Sequence, residues 1–364
     1  MSTTGYTEPA RVVVVEDSLV QRAKLVAVLE ADADIKVVGE ATTALEAIAL
    51  VASLRPDVIT LDLNIPDGGG QYALEQIMAT IPTPILVLSS TVADESSAPA
   101  VEALVGGALL AVPKPMQWTE EFESELRRSV RTIRNVPVIR HMRGRLRTLP
   151  TRTERTPSLA ATLPTSNGRV NMAVSCVVAI AASTGGPPAL ATVLEGLANL
   201  KAPVLIVQHI HPDFVKGLVD WMARVSPLEV VMAVHGQALR ASCVHIAPGG
   251  THLRIGRDWR IELVDTPATV HRPSADQLFE SVAVHARERA VGVLLTGMGD
   301  DGAAGLAAMH RSGALTIAQD QSTSAVFGMP RAAQRLGAVD QQLPLTAIAA
   351  AILRGAQSRI PVRS

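Results

Sequence analysis

The sequence has 364 residues, enough for two domains with separate cores, and 48% of them are hydrophobic while only 2% are aromatic. The cores must therefore be built from aliphatic residues, which suits buried parallel strands packed between helices. The formal net charge of −1 gives no reason to expect binding to nucleic acid or anionic membranes, and the two cysteines, Cys176 and Cys243, exclude a disulfide framework and a zinc site built on cysteines.

The chain shows no sign of a membrane-spanning or targeting segment. No apolar run approaches the roughly 20 residues that a membrane span needs. The segment at residues 1–9 is short and polar, unlike a targeting sequence. We therefore expect a cytoplasmic protein without membrane insertion.

The first half of the chain alternates regularly between strand-like and helix-like segments. Apolar strand-like runs occur at residues 11–15, 35–39, 58–61, 85–88 and 108–112, and amphipathic stretches of helical length follow each of them. This pattern predicts a parallel sheet covered by helices on both faces. Functional residues are then expected at the carboxyl ends of the strands.

Polar residues do gather at those strand ends. The first strand is followed by Glu16 and Asp17, the third by Asp62, the fourth by Ser89 with Ser90, and the fifth by a segment that contains Lys114. Three converging carboxylates repel each other unless a cation lies among them, which favours Mg²⁺. Taken alone, Asp17 is equally compatible with a helix cap.

These residues resemble the receiver domain of two-component response regulators over residues 9–134. The resemblance implies a (βα)5 flavodoxin-like fold, phosphorylation of Asp62, and phosphoryl contacts from Ser89 and Lys114. It also implies Mg²⁺ held by Glu16, Asp17, Asp62 and the backbone of Asn64. Ala111 stands three residues before Lys114, where an aromatic residue is usual in the family, so we expect weak activation by phosphorylation.

The segment at residues 135–170 is predicted to be a basic linker between domains. Residues 127–157 contain ten arginines and a single acid, Glu154, and three prolines interrupt any helix. A solvated tether explains this composition. A contact with an acidic receptor, or with the acidic face of the first domain, is the alternative.

The alternation resumes over residues 171–357. Strands are predicted at residues 176–181, 203–207, 230–234, 244–246, 252–255 with 260–263, 291–296 and 315–318, and helices at residues 187–198, 213–223, 274–287, 303–310 and 345–353. This pattern predicts a doubly wound, Rossmann-like and mostly parallel α/β sheet with a β-hairpin.

Ser183 follows the first of these strands and precedes two glycines and two prolines. The turn would lift its hydroxyl above the sheet edge, beside the free N–H groups of a helix start that can hold an oxyanion. A tight strand-to-helix turn or a phosphate-binding loop is the alternative. His209 and Asp301 follow two other strands of the same sheet, so the three residues can form a nucleophile, a base and an orienting acid.

Each partner also has a simpler interpretation. His209 alone is compatible with a structural histidine, and Asp301 with a helix cap. A metal site built from His209, His211, His245, His252 and His271 is disfavoured because their spacing fits no usual zinc signature.

Several motifs in this half resemble the CheB family of chemotaxis protein-glutamate methylesterases. They include residues 182–186, the pair Gln208-His209, residues 271–274 and residues 295–305. The resemblance implies a catalytic triad of Ser183, His209 and Asp301, with Asp300 at a variable position. It further implies oxyanion or substrate contacts from Thr184, Gly185, Met298 and His252.

The same resemblance implies a function. It predicts a phosphorylation-activated serine esterase that demethylates glutamate methyl esters of chemoreceptors, releases methanol, and deamidates receptor glutamines. No cofactor is implied in this domain. Expected partners are the cytoplasmic domains of chemoreceptors at membrane receptor arrays and a chemotaxis histidine kinase as the phosphodonor, and a monomer is expected. The rival hypotheses are a scaffold that has lost catalysis and a DNA-binding regulator.

Overall fold

The computed structural model describes residues 8–89, 97–136, 138 and 175–359. Ser90 and nearly all of the predicted linker lie outside these residues. The described chain forms two α/β units, each built around its own parallel sheet. The fold predicted from the sequence is confirmed.

The first unit is a five-stranded sheet in the order β2-β1-β3-β4-β5, and all its neighbouring strands are parallel. Its strands are β1 (Ala10–Val15), β2 (Ile35–Ala41), β3 (Val58–Asp62), β4 (Ile85–Ser89) and β5 (Leu110–Pro113). Its helices are α1 (Leu19–Leu29), α2 (Ala44–Leu54), α3 (Gly69–Thr80), α4 (Ala98–Val105) and α5 (Glu120–Ile133).

The second unit has a seven-stranded parallel sheet in the order β14-β13-β12-β6-β7-β9-β8, and β10 and β11 form a separate antiparallel hairpin. Its strands are β6 (Val177–Ala182), β7 (Val204–Gln208), β8 (Glu229–Met232), β9 (Cys243–Ile246), β10 (His252–Ile255), β11 (Ile261–Val264), β12 (Ala290–Leu294), β13 (Leu315–Gln319) and β14 (Gln341–Leu343). Its helices are α6 (Gly186–Glu195), α7 (Pro212–Val225), α8 (Ala275–His285), α9 (Ala303–Arg311), α10 (Met329–Arg335) and α11 (Leu345–Ser358).

Strand β6 lies at the centre of the second sheet and is buried along its whole length. Alternate residues point to opposite faces of a strand. Val178 and Ile180 therefore belong to one buried cluster, whereas Val177 and Ala179 belong to the cluster on the other face. This two-sided burial explains why the sequence of β6 is a continuous apolar run.

The sheet order places the ends of three strands side by side. Strand β6 pairs with β7 on one side and with β12 on the other. The strand order therefore reverses at β6. Open α/β sheets bind ligands in the crevice at such a switch point. The residues that follow β6, β7 and β12 therefore meet at one edge.

The two units contact each other through α4. Ala100 and Val101 on α4 are buried in the same cluster as Phe214 and Leu218 on α7 of the second unit. At the start of α4, Ser97 Oγ accepts a hydrogen bond of 2.8 Å from the amide of Gly217 on α7. The first unit thus packs against the second close to its crevice.

Candidate active site

Ser183 is the first residue after β6 and is held there by its backbone. Its amide donates to the carbonyl of Thr296, at 3.0 Å, and its carbonyl accepts from the amide of Gly186, at 2.8 Å. Gly185 has a φ of +74°, which a residue with a Cβ rarely adopts, so the sharp turn into α6 requires glycine here. Ser183 is half-buried and lines a cleft of about 400 Å³.

His209 is the first residue after β7 and lines the same cleft. Its amide donates to the carbonyl of Ala182, at 3.0 Å, so it lies beside Ser183 at the edge of the sheet. Its Nε2 lies 2.8 Å from Oδ2 of Asp301. Its Nδ1 is buried and has no hydrogen-bond partner among the described residues. The ring therefore has one nitrogen oriented by an acid and one nitrogen free to accept a proton.

Asp301 lies in the loop after β12 and also occupies the N-terminal end of α8. Its Oδ2 accepts from the Ala275 amide, at 2.7 Å, and its Oδ1 accepts from Ser274 Oγ, at 2.8 Å, and from the Asp276 amide, at 3.1 Å. Burial alone would raise the pKa of Asp301, but the hydrogen bonds from His209 and from these amides hold that pKa well below its usual value. Asp301 is therefore a stable anion, whereas the neighbouring Asp300 is exposed.

The structure brings a further histidine to the site. His271 stacks on His209 with ring centroids 4.4 Å apart and the ring planes 14° from parallel. His271 is exposed as a whole, but partial desolvation of its stacked ring lowers the pKa of His271, and a charge on His209 lowers it further. No local sequence pattern indicated the stacking, because it depends on the path of the loop that precedes α8.

His252 is placed differently from the sequence expectation. It is fully buried at the start of β10. Its Nδ1 accepts from the Ser274 amide, at 3.1 Å, and its Nε2 lies 2.8 Å from the carbonyl of Pro267. Both ring nitrogens are thus bonded within the protein, which leaves none to contact a substrate. His252 instead holds Ser274, which in turn holds Asp301.

The residues expected near an oxyanion lie in two turns, one after β6 and one after β12. Thr184 and Gly185 line the cleft at the start of α6. The Thr184 carbonyl accepts from Thr296 Oγ1, at 2.9 Å, which fixes the turn. Met298 lies in the turn after β12 and is packed closely beneath Gly328, where a Cβ would come within 3.1 Å of the Met298 Cα.

The acids predicted to bind a metal lie together in the first unit. One carboxylate oxygen from each of Glu16, Asp17 and Asp62 lies within 4.8 Å of the others. Oxygen ligands in this arrangement suit Mg²⁺, which prefers carboxylates and water. The Asn64 amide donates to Asp62 Oδ1, at 3.0 Å. The donor set therefore fits the implied ion.

Lys114 lies between two of these acids. Its Nζ is 2.6 Å from Glu16 Oε2 and 2.6 Å from Asp62 Oδ2, and its amide donates to the Ser89 carbonyl at 2.8 Å. Burial lowers the pKa of Lys114, but the two carboxylates outweigh burial, and the pKa lies above its usual value. Lys114 is therefore a permanent cation within reach of any group on Asp62.

The alternative histidine metal site finds no support in the described part of the chain, where Glu16, Asp17 and Asp62 are the only group of three or more potential ligands close enough to share an ion. His211 caps α7, and His245 is buried within β9. Among the helices of the described ranges, none is both long enough and apolar enough to cross a membrane.

Comparisons with known proteins agree with this architecture. Family models match residues 178–352 as CheB methylesterase and residues 12–124 as a response regulator receiver domain. The "Protein-glutamate methylesterase/protein-glutamine glutaminase 2" of Anaeromyxobacter dehalogenans (strain 2CP-C) is 43% identical, over 97% of this chain and 98% of the relative. A protein of the same name, numbered 3, from Hahella chejuensis (strain KCTC 2396) is 38% identical, over 97% of this chain and 99% of the relative.

Among solved structures, the Thermotoga maritima CheB methylesterase catalytic domain matches at 32% identity and a TM-score of 0.48, covering 50% of this chain and 98% of that one. The two whole-chain relatives exceed 30% identity and extend over both sheets described above. The chain therefore belongs to the family of CheB methylesterases that carry a response regulator receiver domain.

Proposed function

We propose that this chain is a phosphorylation-controlled serine esterase that hydrolyses glutamate methyl esters on chemoreceptors, and glutamine side chains by the same route. Its relatives are named protein-glutamate methylesterase/protein-glutamine glutaminase. The observation that carries the proposal is the hydrogen bond of 2.8 Å between His209 and Asp301, next to Ser183 in one cleft. A scaffold without catalysis has no need for this arrangement.

In the proposed reaction, Ser183 Oγ attacks the ester carbonyl and passes its proton to His209. Because Nε2 donates to Asp301, Nδ1 is the nitrogen that accepts this proton. The imidazolium then protonates the leaving methoxide, and methanol departs from the acyl-enzyme. Water enters, gives a proton to Nδ1, and releases the glutamate as Ser183 recovers its proton. A glutamine would lose ammonia by the same steps.

Backbone amides at the start of α6 and in the turn at Met298 would stabilise the tetrahedral oxyanion. The positive end of a helix favours negative charge, and donors that are already in place need not reorganise during reaction. Thr184 and Gly185 lie at that helix end. Their position supports the roles that we assign to them.

We assign phosphorylation to Asp62. When bound among Glu16, Asp17 and Asp62, with the Asn64 backbone as a further ligand, Mg²⁺ would neutralise charge on the incoming phosphoryl group. Lys114 Nζ, 2.6 Å from Asp62 Oδ2, would pair with the phosphoryl oxygens once they replace the carboxylate contact. Ser89 at the end of β4 would donate its hydroxyl to the same group. A chemotaxis histidine kinase is the proposed donor.

The receiver unit would regulate the esterase by covering its cleft. Residues of β5, including Ala111 and Val112, line the same cavity as Ser183 and His209. A receptor segment needs that space, so the receiver must withdraw before substrate can bind. The proposed substrates are the cytoplasmic parts of chemoreceptors in membrane arrays.

Methanol release from membranes that contain methylated chemoreceptors tests this function. We expect release by the full chain with acetyl phosphate and Mg²⁺, and a loss of several orders of magnitude in Ser183→Ala, because the nucleophile is removed. Wild-type protein that releases no methanol would support the scaffold hypothesis. A Ser183→Ala variant that retains more than about a tenth of the rate would remove Ser183 from the mechanism.

A further inference from the structure

Gln208 connects the two residues that carry the proposed chemistry. It is the last residue of β7 and is only 4% exposed. Its Nε2 lies 2.8 Å from the carbonyl oxygen of Ser183 and 2.9 Å from the carbonyl oxygen of His209. A single side-chain NH₂ group thus binds the backbone of the nucleophile and the backbone of the base.

This link begins where the regular sheet stops. The paired register of β6 and β7 ends at Ala182 and Gln208. The last backbone hydrogen bond between the two strands runs from the His209 amide to the Ala182 carbonyl. Ser183 and His209 lie one residue beyond that pair. Regular strand pairing therefore does not fix the separation of these two residues, and the side chain of Gln208 supplies the next connection across the two strands.

The chemistry of the contact requires an amide. Two carbonyl oxygens face the side chain, and each of them needs a donor. A primary amide has two N–H bonds, whereas a carboxylate has none and a thioether has none. Oε1 of Gln208 is buried against Gly186, where a Cβ would collide with it, so the glycine after Gly185 makes room for the amide.

We infer that Gln208 is a positioning residue that sets the distance between Ser183 and His209 by bonding both carbonyl groups. This inference rests on the proposed serine esterase function. A displacement of about 1 Å between reacting groups can cost roughly 100-fold in rate. Loss of the link should therefore lower kcat and leave the affinity for receptor nearly unchanged.

The test uses the full chain with acetyl phosphate, Mg²⁺ and methylated receptor membranes. Gln208→Met keeps the length of the side chain and removes both donors, and Gln208→Asn keeps the amide but shortens its reach. We expect kcat to fall roughly 10- to 100-fold in both variants, with KM within about threefold of wild type. Gln237→Met, a half-buried glutamine away from the cleft in the same domain, serves as the matched control and should retain wild-type kcat.

A second readout does not depend on the receptor. The rate at which a fluorophosphonate labels Ser183 should fall in parallel with kcat, because labelling needs the same nucleophile and base. If wild-type protein is labelled but releases no methanol, the proposed receptor function fails, and the labelling rates of the Gln208 variants still decide this inference.

Several results would overturn the inference. One is a Gln208→Met or Gln208→Asn variant with kcat and labelling rate within about threefold of wild type. Another is a rise in KM at constant kcat, which would make Gln208 a substrate contact. A third is an equal loss in Gln237→Met. Wild-type Ser183 that resists labelling would also overturn it, since no activated nucleophile would be present to position. Thermal unfolding of each variant shows whether it is folded.

Discussion

The carboxylate of Asp301 offers a sharp test of the proposed mechanism, because Asp301→Asn changes its charge and hardly its size. Oδ2 of Asp301 accepts from His209 and from the Ala275 amide, and Oδ1 accepts from Ser274 Oγ and the Asp276 amide. A hydroxyl can accept as well as donate, so the new NH₂ group would replace Oδ1 and donate to Ser274, while the Asp276 amide would lose its acceptor, which costs stability and not the proton transfer. Oxygen would then still face His209.

The main loss is therefore the negative charge beside the imidazolium that forms in the reaction. Nε2 and Oδ2 are 2.8 Å apart, and both charges are spread over several atoms. Two unit charges about 4 Å apart attract each other by about 4 kcal/mol at an effective dielectric constant of about 20. At about 1.36 kcal/mol for each tenfold change in rate, the loss of this attraction lowers kcat roughly 1,000-fold.

The assay is methanol release by the full chain with acetyl phosphate and Mg²⁺. Asp300→Asn is the matched control, because Asp300 is exposed and lies in the same turn. We expect it to stay within about threefold of wild type. If Asp300→Asn were inactive and Asp301→Asn active, or if Asp301→Asn kept more than about a tenth of the rate, the electrostatic argument would be refuted.

Three further predictions concern regulation and stability. Gly217→Ala would place a methyl group against Ser97 and loosen the contact between the two units. Methanol release without phosphodonor should then rise, by at most the roughly 5- to 150-fold of ordinary coupling, and adding Ser97→Gly should reverse the increase. No increase would show that this contact does not hold the receiver in place. Asp62→Asn should abolish stimulation by acetyl phosphate and leave basal methanol release unchanged, and persistent stimulation would place the phosphorylation elsewhere. Burial lowers the pKa of His245 from 6.5 to about 4 in the folded protein, so the unfolded state binds a proton before the folded state does as the pH falls. The free energy of unfolding should therefore drop by on the order of 3 kcal/mol between pH about 6.5 and about 4. His245→Gln should flatten this dependence in urea titrations, and an unchanged slope would contradict it.

The sequence predicted the features that depend on local pattern. The run that forms β6 is apolar on both faces, and the turn after it contains the glycine and proline residues of a helix start, so the place of Ser183 could be inferred. The helix that follows Ser274 was also predicted, and in the structure Ser274 caps it by accepting from the Gln277 amide. The acids at the ends of β1 and β3 were also placed correctly at one sheet edge.

Other features depend on contacts between distant segments. The stacking of His271 on His209, the enclosure of His252 and the two bonds of Gln208 join residues that no periodic pattern relates. Two short elements were also missed: β14 has only three residues, and α10, which begins at Met329, has only seven. Elements this short carry little hydrophobic periodicity.

The wall that β5 of the receiver contributes to the cleft has a consequence for the receptor itself. In the proposed mechanism a receptor segment occupies the cleft only when β5 moves away, so the two events would share one free energy of coupling. Such coupling is reciprocal in free energy: if the phosphorylated form of Asp62 favours withdrawal and hence receptor binding, receptor binding favours the phosphorylated form. A chemoreceptor rich in methyl esters would thereby increase the phosphorylated fraction of the enzyme that demethylates it. The phosphorylated fraction of Asp62 at a fixed acetyl phosphate concentration should therefore rise when methylated receptor is added, and an unchanged fraction would uncouple the wall from the phosphorylation site.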